Sequence, residues 1–166
     1  MTMKRNRPAP KASKKPPGLD FSADQFLEAE VIQGLKPLAI DELKTTLGVQ
    51  LSLQPGAEPE TIRFQFKGDL NRLKALKTIL GVYLGQRYPI PRPKALLGHQ
   101  YFQRLLKQIE TICRLYPAQT FQRFRISAAG HQSAVFSRLG AEIQANIGLS
   151  LNEDEADLLI RVRPAV

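Results

Sequence analysis

Residues 26–88 read as six segments whose apolar period switches between two and about 3.6, and that order restricts the fold more than any other feature. "FLEAEVI" (26–32) alternates: Leu27, Ala29 and Val31 share one face, Glu28 and Glu30 the other. That is the pattern of a half-buried strand. "GLKPLAIDELKTTLG" (34–48) follows, with Pro37 in a first helical turn, Ala39, Leu43 and Leu47 four residues apart, and Gly48 as the stop. "VQLSL" (49–53) alternates again, and Pro55, Gly56 and Pro59 break the chain before "TIRFQF" (61–66) turns Ile62, Phe64 and Phe66 inward. "GDLNRLKALKTIL" (68–80) predicts a helix with Asp69 as N-cap, Leu70, Leu73, Leu76 and Leu80 buried, and Arg72, Lys74 and Lys77 in water. "GVYLGQRY" (81–88) predicts a last strand. The order β-α-β-β-α-β predicts an α+β two-layer, ferredoxin-like unit, a fold that hosts many unrelated functions.

"PIPRPKA" (89–95) carries three prolines and predicts a semi-rigid connector. A helix is expected over 96–116, with a stripe of Phe102, Leu105, Leu106, Ile109, Ile112 and Cys113. A strand follows at 120–128, with Phe124, Ile126 and Ala128 on one face and Phe121, Arg123, Arg125 and Ser127 on the other. A helix from Ser133 to Ile147 places Val135, Leu139, Ile143 and Ile147 one turn apart, and Gly148 closes it. "NEDEAD" reads as a solvated acidic loop before a strand at 157–163. This second α-β-α-β unit is thin, so its last strand is expected at a sheet margin with an unpaired edge. The domain organisation predicted is a tail at 1–19, a ferredoxin-like domain at 20–88, a linker at 89–95 and a second domain at 96–166.

The chain has 24 basic and 15 acidic residues, a net charge of +9. Lys4, Arg5, Arg7, Lys11, Lys14 and Lys15 contribute six of those charges within residues 1–19, where no acid occurs. With four prolines and few large apolar groups, that segment is expected to be a disordered cationic arm. Such arms bind polyanions or only solubilise the chain. The absence of a long apolar run argues against a membrane span, and a single Cys113 fits a reducing cytoplasm.

Catalytic patterns are missing. His99, His131 and Cys113 lack zinc-type spacing, and Cys113 on an apolar stripe predicts an inert buried thiol. No phosphate-loop, dinucleotide-loop or nucleophile-elbow motif occurs, so no metal, cofactor or catalytic residue is assigned to this chain. What remains is the corner "FRISAAGHQSAVFSRLG" (124–140). It hands a strand to a helix whose free N–H groups favour anions, with Ser133 as a natural cap and Gly130 permitting close approach. Arg123, Arg125 and Arg138 around it make a phosphate cradle; the alternative is a cap with solvating arginines.

The stretch "FRISAAGHQSAVFSRLGAEIQANIGLSLNEDEADLLIRV" resembles the core of a THUMP domain, an RNA-binding module of tRNA-modifying enzymes and class I RNA methyltransferases. Arg123 and Arg125, His131 to Ser133, Gly140, Gly148 and Asp157 with "LLIRV" stand at the family's pattern positions. "EAEVIQGLKPLAIDELKTTLG" is similar to the opening strand and helix of the same enzymes. The resemblance implies RNA contact by Arg123, Arg125, Gly130, His131, Gln132, Ser133, Ser137 and Arg138. It implies structured RNA as partner, either rRNA or the acceptor region of tRNA. It also implies a C-terminally truncated THUMP-like domain, the substrate-recognition part of an S-adenosylmethionine-dependent RNA methyltransferase. Cofactor and methyl transfer then belong to a catalytic domain that this chain lacks. The other reading of the residues is a non-enzymatic ferredoxin-like module for protein interaction or oligomerisation.

Overall fold

A computed structural model describes residues 21, 24–55 and 58–164; the expected cationic tail lies outside them. The first unit contains β1 (Gln25–Val31), α1 (Lys36–Leu47), β2 (Leu51–Leu53), β3 (Thr61–Phe66) and β4 (Ile79–Gln86). Its sheet has the order β2-β3-β1-β4 with every neighbouring pair antiparallel, the ferredoxin-like arrangement. Leu27, Ala29 and Val31 of β1 join Ile62, Phe64 and Phe66 of β3 in one buried face, which Ala39, Leu43 and Leu47 of α1 cover. Each of the larger side chains contributes about 1.5–3 kcal/mol by leaving water.

The helix expected over 68–80 is reduced to a 3-10 turn at Leu70–Ala75. Asp69 caps it, accepting from the Asn71 amide at 2.9 Å. The turn stops because the Glu42 carboxylate captures the next amides, Lys77 N at 2.7 Å and Thr78 N at 2.9 Å, and also the Thr78 hydroxyl. Those bonds hold the Glu42 carboxyl below its usual range. The chain is thereby released to pair with β1 from Ile79, two residues earlier than expected, and the register shifts between Glu30 and Val31. Leu80, expected in the core, is exposed, while Leu70 is buried and Leu73 and Leu76 are half-buried.

The second unit contains α2 (His99–Arg114), β5 (Arg123–Ala128), α3 (Ala134–Ile147), β6 (Ser150–Leu151) and β7 (Leu158–Val162). Its sheet has the order β6-β5-β7, with both pairs parallel. Phe124, Ile126 and Ile160 share a core with Phe102, Leu105, Leu106 and Ile109 of α2 and with Phe136, Leu139 and Ile143 of α3. The segment expected only to connect also packs here: Pro93–Leu97 is a 3-10 turn that buries Leu96, and Tyr88 and Ile90 lean on the core. Among the described residues β7 has a partner on one side only, the margin position anticipated from its sequence.

Two details of this unit depart from the periodic reading. β6 is two residues long, too short to show a period. On α3 the buried set is Phe136, Leu139, Gly140 and Ile143, with Val135 and Ile147 only half-buried. Gly140 explains the rotation of the stripe. A Cβ there would lie 2.8 Å from the Leu151 side chain, so glycine lets α3 sit directly on β6.

Candidate nucleic-acid interface

The corner suggested by the sequence exists. β5 ends at Ala128, the chain turns through Gly130 at φ +70°, and α3 begins at Ala134. Only glycine adopts that φ without strain. Ser133 stands at the N-cap with an extended backbone, but its hydroxyl caps nothing; its carbonyl accepts from the Ser137 amide at 3.0 Å. Gly130, His131, Gln132, Ser133 and Ser137 are all exposed. Their side chains, where present, have no hydrogen-bond partner among the described residues, so the polar groups of the turn face solvent.

The three arginines do not converge on this turn. Arg123 lies at the opposite end of β5, about 17 Å from Ala128 at the usual rise per strand residue, and pairs with Glu155 at 2.5 Å. Arg125 and Ser127 are exposed on the face of the sheet away from Phe124 and Ile126, the residues that α2 and α3 cover. Arg138 is exposed on the side of α3 opposite Leu139, Gly140 and Ile143. The sheet and the core therefore stand between Arg125 and Arg138. A single three-arginine cradle is replaced by two cations on different faces, each without an ion-pair partner among the described residues.

The acidic loop is built rather than merely solvated. Asn152 Oδ1 accepts from the amides of Asp154 and Glu155 at 3.0 and 2.9 Å. Asp157 Oδ2 accepts from the amides of Gln122 and Arg123, both at 3.0 Å, which holds its carboxyl below the usual range. Asp157 thus anchors the entry to β5, and Asp157→Ala is expected to speed hydrogen exchange at Gln122 and Arg123. Unchanged exchange at those two amides would show that the loop does not restrain the strand. Cys113 is half-buried on α2; burial, then the nearby Glu110 charge, pushes its thiol up and away from the reactive thiolate form.

A polar network that the sequence did not disclose joins the two units. Glu28, on the outer face of β1, is 2% exposed. It accepts from Arg63 at 2.8 Å and from Arg163, which follows β7. Burial pushes the Glu28 carboxyl up, but the hydrogen bonds and charges of the two arginines hold it below its ordinary value. Glu30 pairs with Arg161 of β7 at 3.3 Å and accepts from the Tyr83 hydroxyl at 3.1 Å. The Gln108 side chain donates to the Leu84 carbonyl, and Lys74 donates to the Leu115 carbonyl. Beside these links a cleft of about 730 Å³ opens between β4, α2 and β7. Alternation in β1 marked Glu28 and Glu30 as outward, and nothing local indicates that another unit covers them.

No helix among the described residues is long and apolar enough to cross a membrane. No protein-family model and no curated protein matches this sequence. The structure is similar to the crystal structure of TrmN from Thermus thermophilus, with a TM-score of 0.52 and 16% sequence identity. That similarity covers 82% of this chain and 41% of the other, so this chain spans about two fifths of the protein it matches. The shared feature is the α+β fold described above.

Proposed function

We propose that the chain is an RNA-binding recognition region of THUMP type, working with a separate S-adenosylmethionine-dependent catalytic domain on structured RNA, either tRNA or rRNA. The observation that carries this reading is the division of the arginines. Among the described residues Arg63, Arg114, Arg123, Arg161 and Arg163 are spent on carboxylates, whereas Arg125 and Arg138, like Arg72, Arg87, Arg92 and Arg104, are exposed without one. Cations held on separate faces suit a large folded polyanion read by shape and phosphate position. The exposed polar turn of Gly130 to Ser133, with Ser137 one turn on, lies at the start of the helix that carries Arg138. The fold likeness to TrmN and the basic tail support the same reading. The turn at 128–133 does not fit the cofactor: it offers one glycine and no carboxylate, so no step of methyl transfer is assigned to these residues.

The test is tRNA binding against salt for the whole chain, for a deletion of residues 1–19 and for Arg125→Ala/Arg138→Ala. The double variant is expected to weaken binding roughly tenfold and to flatten the salt dependence, since phosphate contacts release counterions. Full affinity in the double variant, with binding abolished by the tail deletion alone, would remove the site assignment. A second reading has one observation behind it. Ile32, Leu35 and Leu38 are 52%, 38% and 54% exposed around the entry to α1, which would suit a protein contact. It predicts an oligomer in sedimentation and no preference for tRNA over heparin.

A further inference from the structure

α1 alone does not cover the inner face of the ferredoxin-like sheet. The 3-10 turn at Leu70–Ala75 stops short because Glu42 holds the Lys77 and Thr78 amides, and β4 is left partly open on that face. Val82 and Leu84 of β4 stand there opposite Ala29 and Leu27 of β1. Above them lies a hollow of about 250 Å³, walled by Leu73 and Leu76 on one side and by Ile112 and Leu115 on the other. None of residues 123–138 borders it. Two of the seven large apolar side chains exposed among the described residues line it, Leu80 at 64% and Tyr116 at 40%. The register shift ejects Leu80: Gly81 pairs with Glu30 and Ile79 with Val31, so Leu80 faces no residue of β1.

The hollow is apolar and its border is basic. Apart from Lys74 and Gly81, every side chain of its lining is aliphatic or aromatic, and no acid borders it. The segment that walls it, residues 67–77, carries Lys67, Arg72, Lys74 and Lys77 against one acid, Asp69. Asp69 Oδ1 is occupied by the Asn71 amide and side chain at 2.9 and 3.0 Å. Glu42, which reaches this segment from α1, is occupied by Lys77 and Thr78. Lys74 lies 4.2 Å from the centroid of the Tyr116 ring and donates to the Leu115 carbonyl. Lys77 is exposed and makes no salt bridge among the described residues. The hollow is smaller than the usual small-molecule pocket of about 300–1,000 Å³. It suits a single apolar anchor, the kind of side chain that carries most of the energy of a protein contact.

We propose that this hollow docks a partner polypeptide: an acidic amphipathic helix that seats one large apolar side chain between Leu80 and Tyr116 and sets its carboxylates against Lys74 and Lys77. The helix completes, over Val82 and Leu84, the cover that the 3-10 turn leaves unfinished. The anchor supplies the affinity, and the charges select and orient the partner. Charge also decides among the occupants. Residues 1–19 of this chain hold six cations and no acid, so the basic border repels them. A second copy has no helix with more acids than bases: α1 and α3 are balanced, and α2 has three bases against one acid. A nucleic acid would set phosphates on Lys74 and Lys77 and leave the aliphatic hollow unfilled. The surface is separate from the corner at 123–138 and from the exposed Ile32, Leu35 and Leu38, and the proposal depends on neither reading given above.

The experiment uses the full chain and a fluorescein-labelled helical peptide of about 14 residues, with Leu, Phe and Leu at i, i+3 and i+7 among glutamates and alanines. Fluorescence anisotropy is expected to show saturable binding that weakens with added salt. Replacing the peptide's Phe by Ala, or its glutamates by lysines, is expected to weaken binding about tenfold or more. Lys77→Glu/Leu80→Gln is expected to do the same, with an unchanged unfolding midpoint because both side chains are exposed. Leu80→Gln alone, expected to lose several-fold, carries the test if the double variant unfolds earlier. Arg125→Ala/Arg138→Ala should leave peptide binding unaltered, and Leu80→Gln should leave tRNA binding unaltered. Absence of saturable binding to the wild type overturns the proposal. So does wild-type affinity in Leu80→Gln and in the double variant, or equal binding of the lysine peptide. A dimer in sedimentation that Leu80→Gln dissolves assigns the hollow to a second copy. Displacement of the peptide by oligouridine assigns it to nucleic acid, and either of these results also overturns the proposal. Peptide binding is read without RNA, so failure of the RNA-binding reading leaves its outcome standing.

Discussion

Phe124→Ala is expected to destabilise the protein by about 3–5 kcal/mol, the usual cost of removing a buried ring. Phe124 is fully buried in β5, the central strand of its sheet, with β6 and β7 on either side. The hole falls at the meeting point of both helices and the sheet, where close packing prevents easy collapse. The loss should be uneven. The apolar residues form two separate cores, one around Phe124 and Leu139, the other around Phe64 and Leu43, and the prominent links between them are polar. Amides of α2, β5 and α3 are therefore expected to lose exchange protection first, while β1, β3 and α1 keep theirs. Equal loss in all elements would mean that the two cores fold as one cooperative body.

Glu28→Ala is expected to cost about 2–3 kcal/mol. Breaking a buried pair by removing one partner costs roughly 3–5 kcal/mol because the other charge is left unpaired. The lower figure applies because the Arg63 and Arg163 side chains retain 19% and 46% exposure. Glu28→Leu with Arg63→Met should recover part of the loss, since it leaves only the half-exposed Arg163 guanidinium without its carboxylate. A double-mutant cycle in urea measures the coupling. The pair also predicts a pH dependence. The Glu28 pKa in the folded state lies below its ordinary value of 4.5. Its contribution is therefore complete above that ordinary value and is lost as pH falls through the lower folded one. Stability in the wild type should fall more steeply below about pH 4.5 than in Glu28→Gln. Equal slopes would show that the carboxylate is not held by the arginines.

How much was legible in the sequence depended on whether a feature was local. β1, α1, β3, β5 and α3 announced themselves because alternation and four-residue spacing are written within a few neighbouring residues. The segment 68–80 misled because its leucines keep a helical period, whereas the group that ends the turn is Glu42, on another element. The stripe of α3 shifted because Gly140 contacts Leu151, a packing event across elements. At the corner, residue types identified the turn and the helix start. Which arginines stayed available was decided by partners elsewhere, Glu155 for Arg123 and no carboxylate for Arg125 and Arg138.

By itself, then, the sequence determined the alternation of strand and helix, the two apolar faces that form the cores, the ferredoxin-like strand order and the position of the polar turn. Those depend on periodicity and on glycine and proline chemistry, which act over one or two turns of chain. Only the tertiary structure decided which charges are free. Arg163 meets Glu28 across 135 residues of sequence, and Arg161 meets Glu30 in the same way. No pattern of spacing encodes such a meeting, because it requires two independently folded faces to be brought together. That packing buries the acids of β1 and leaves a cleft rich in arginine and aromatic side chains.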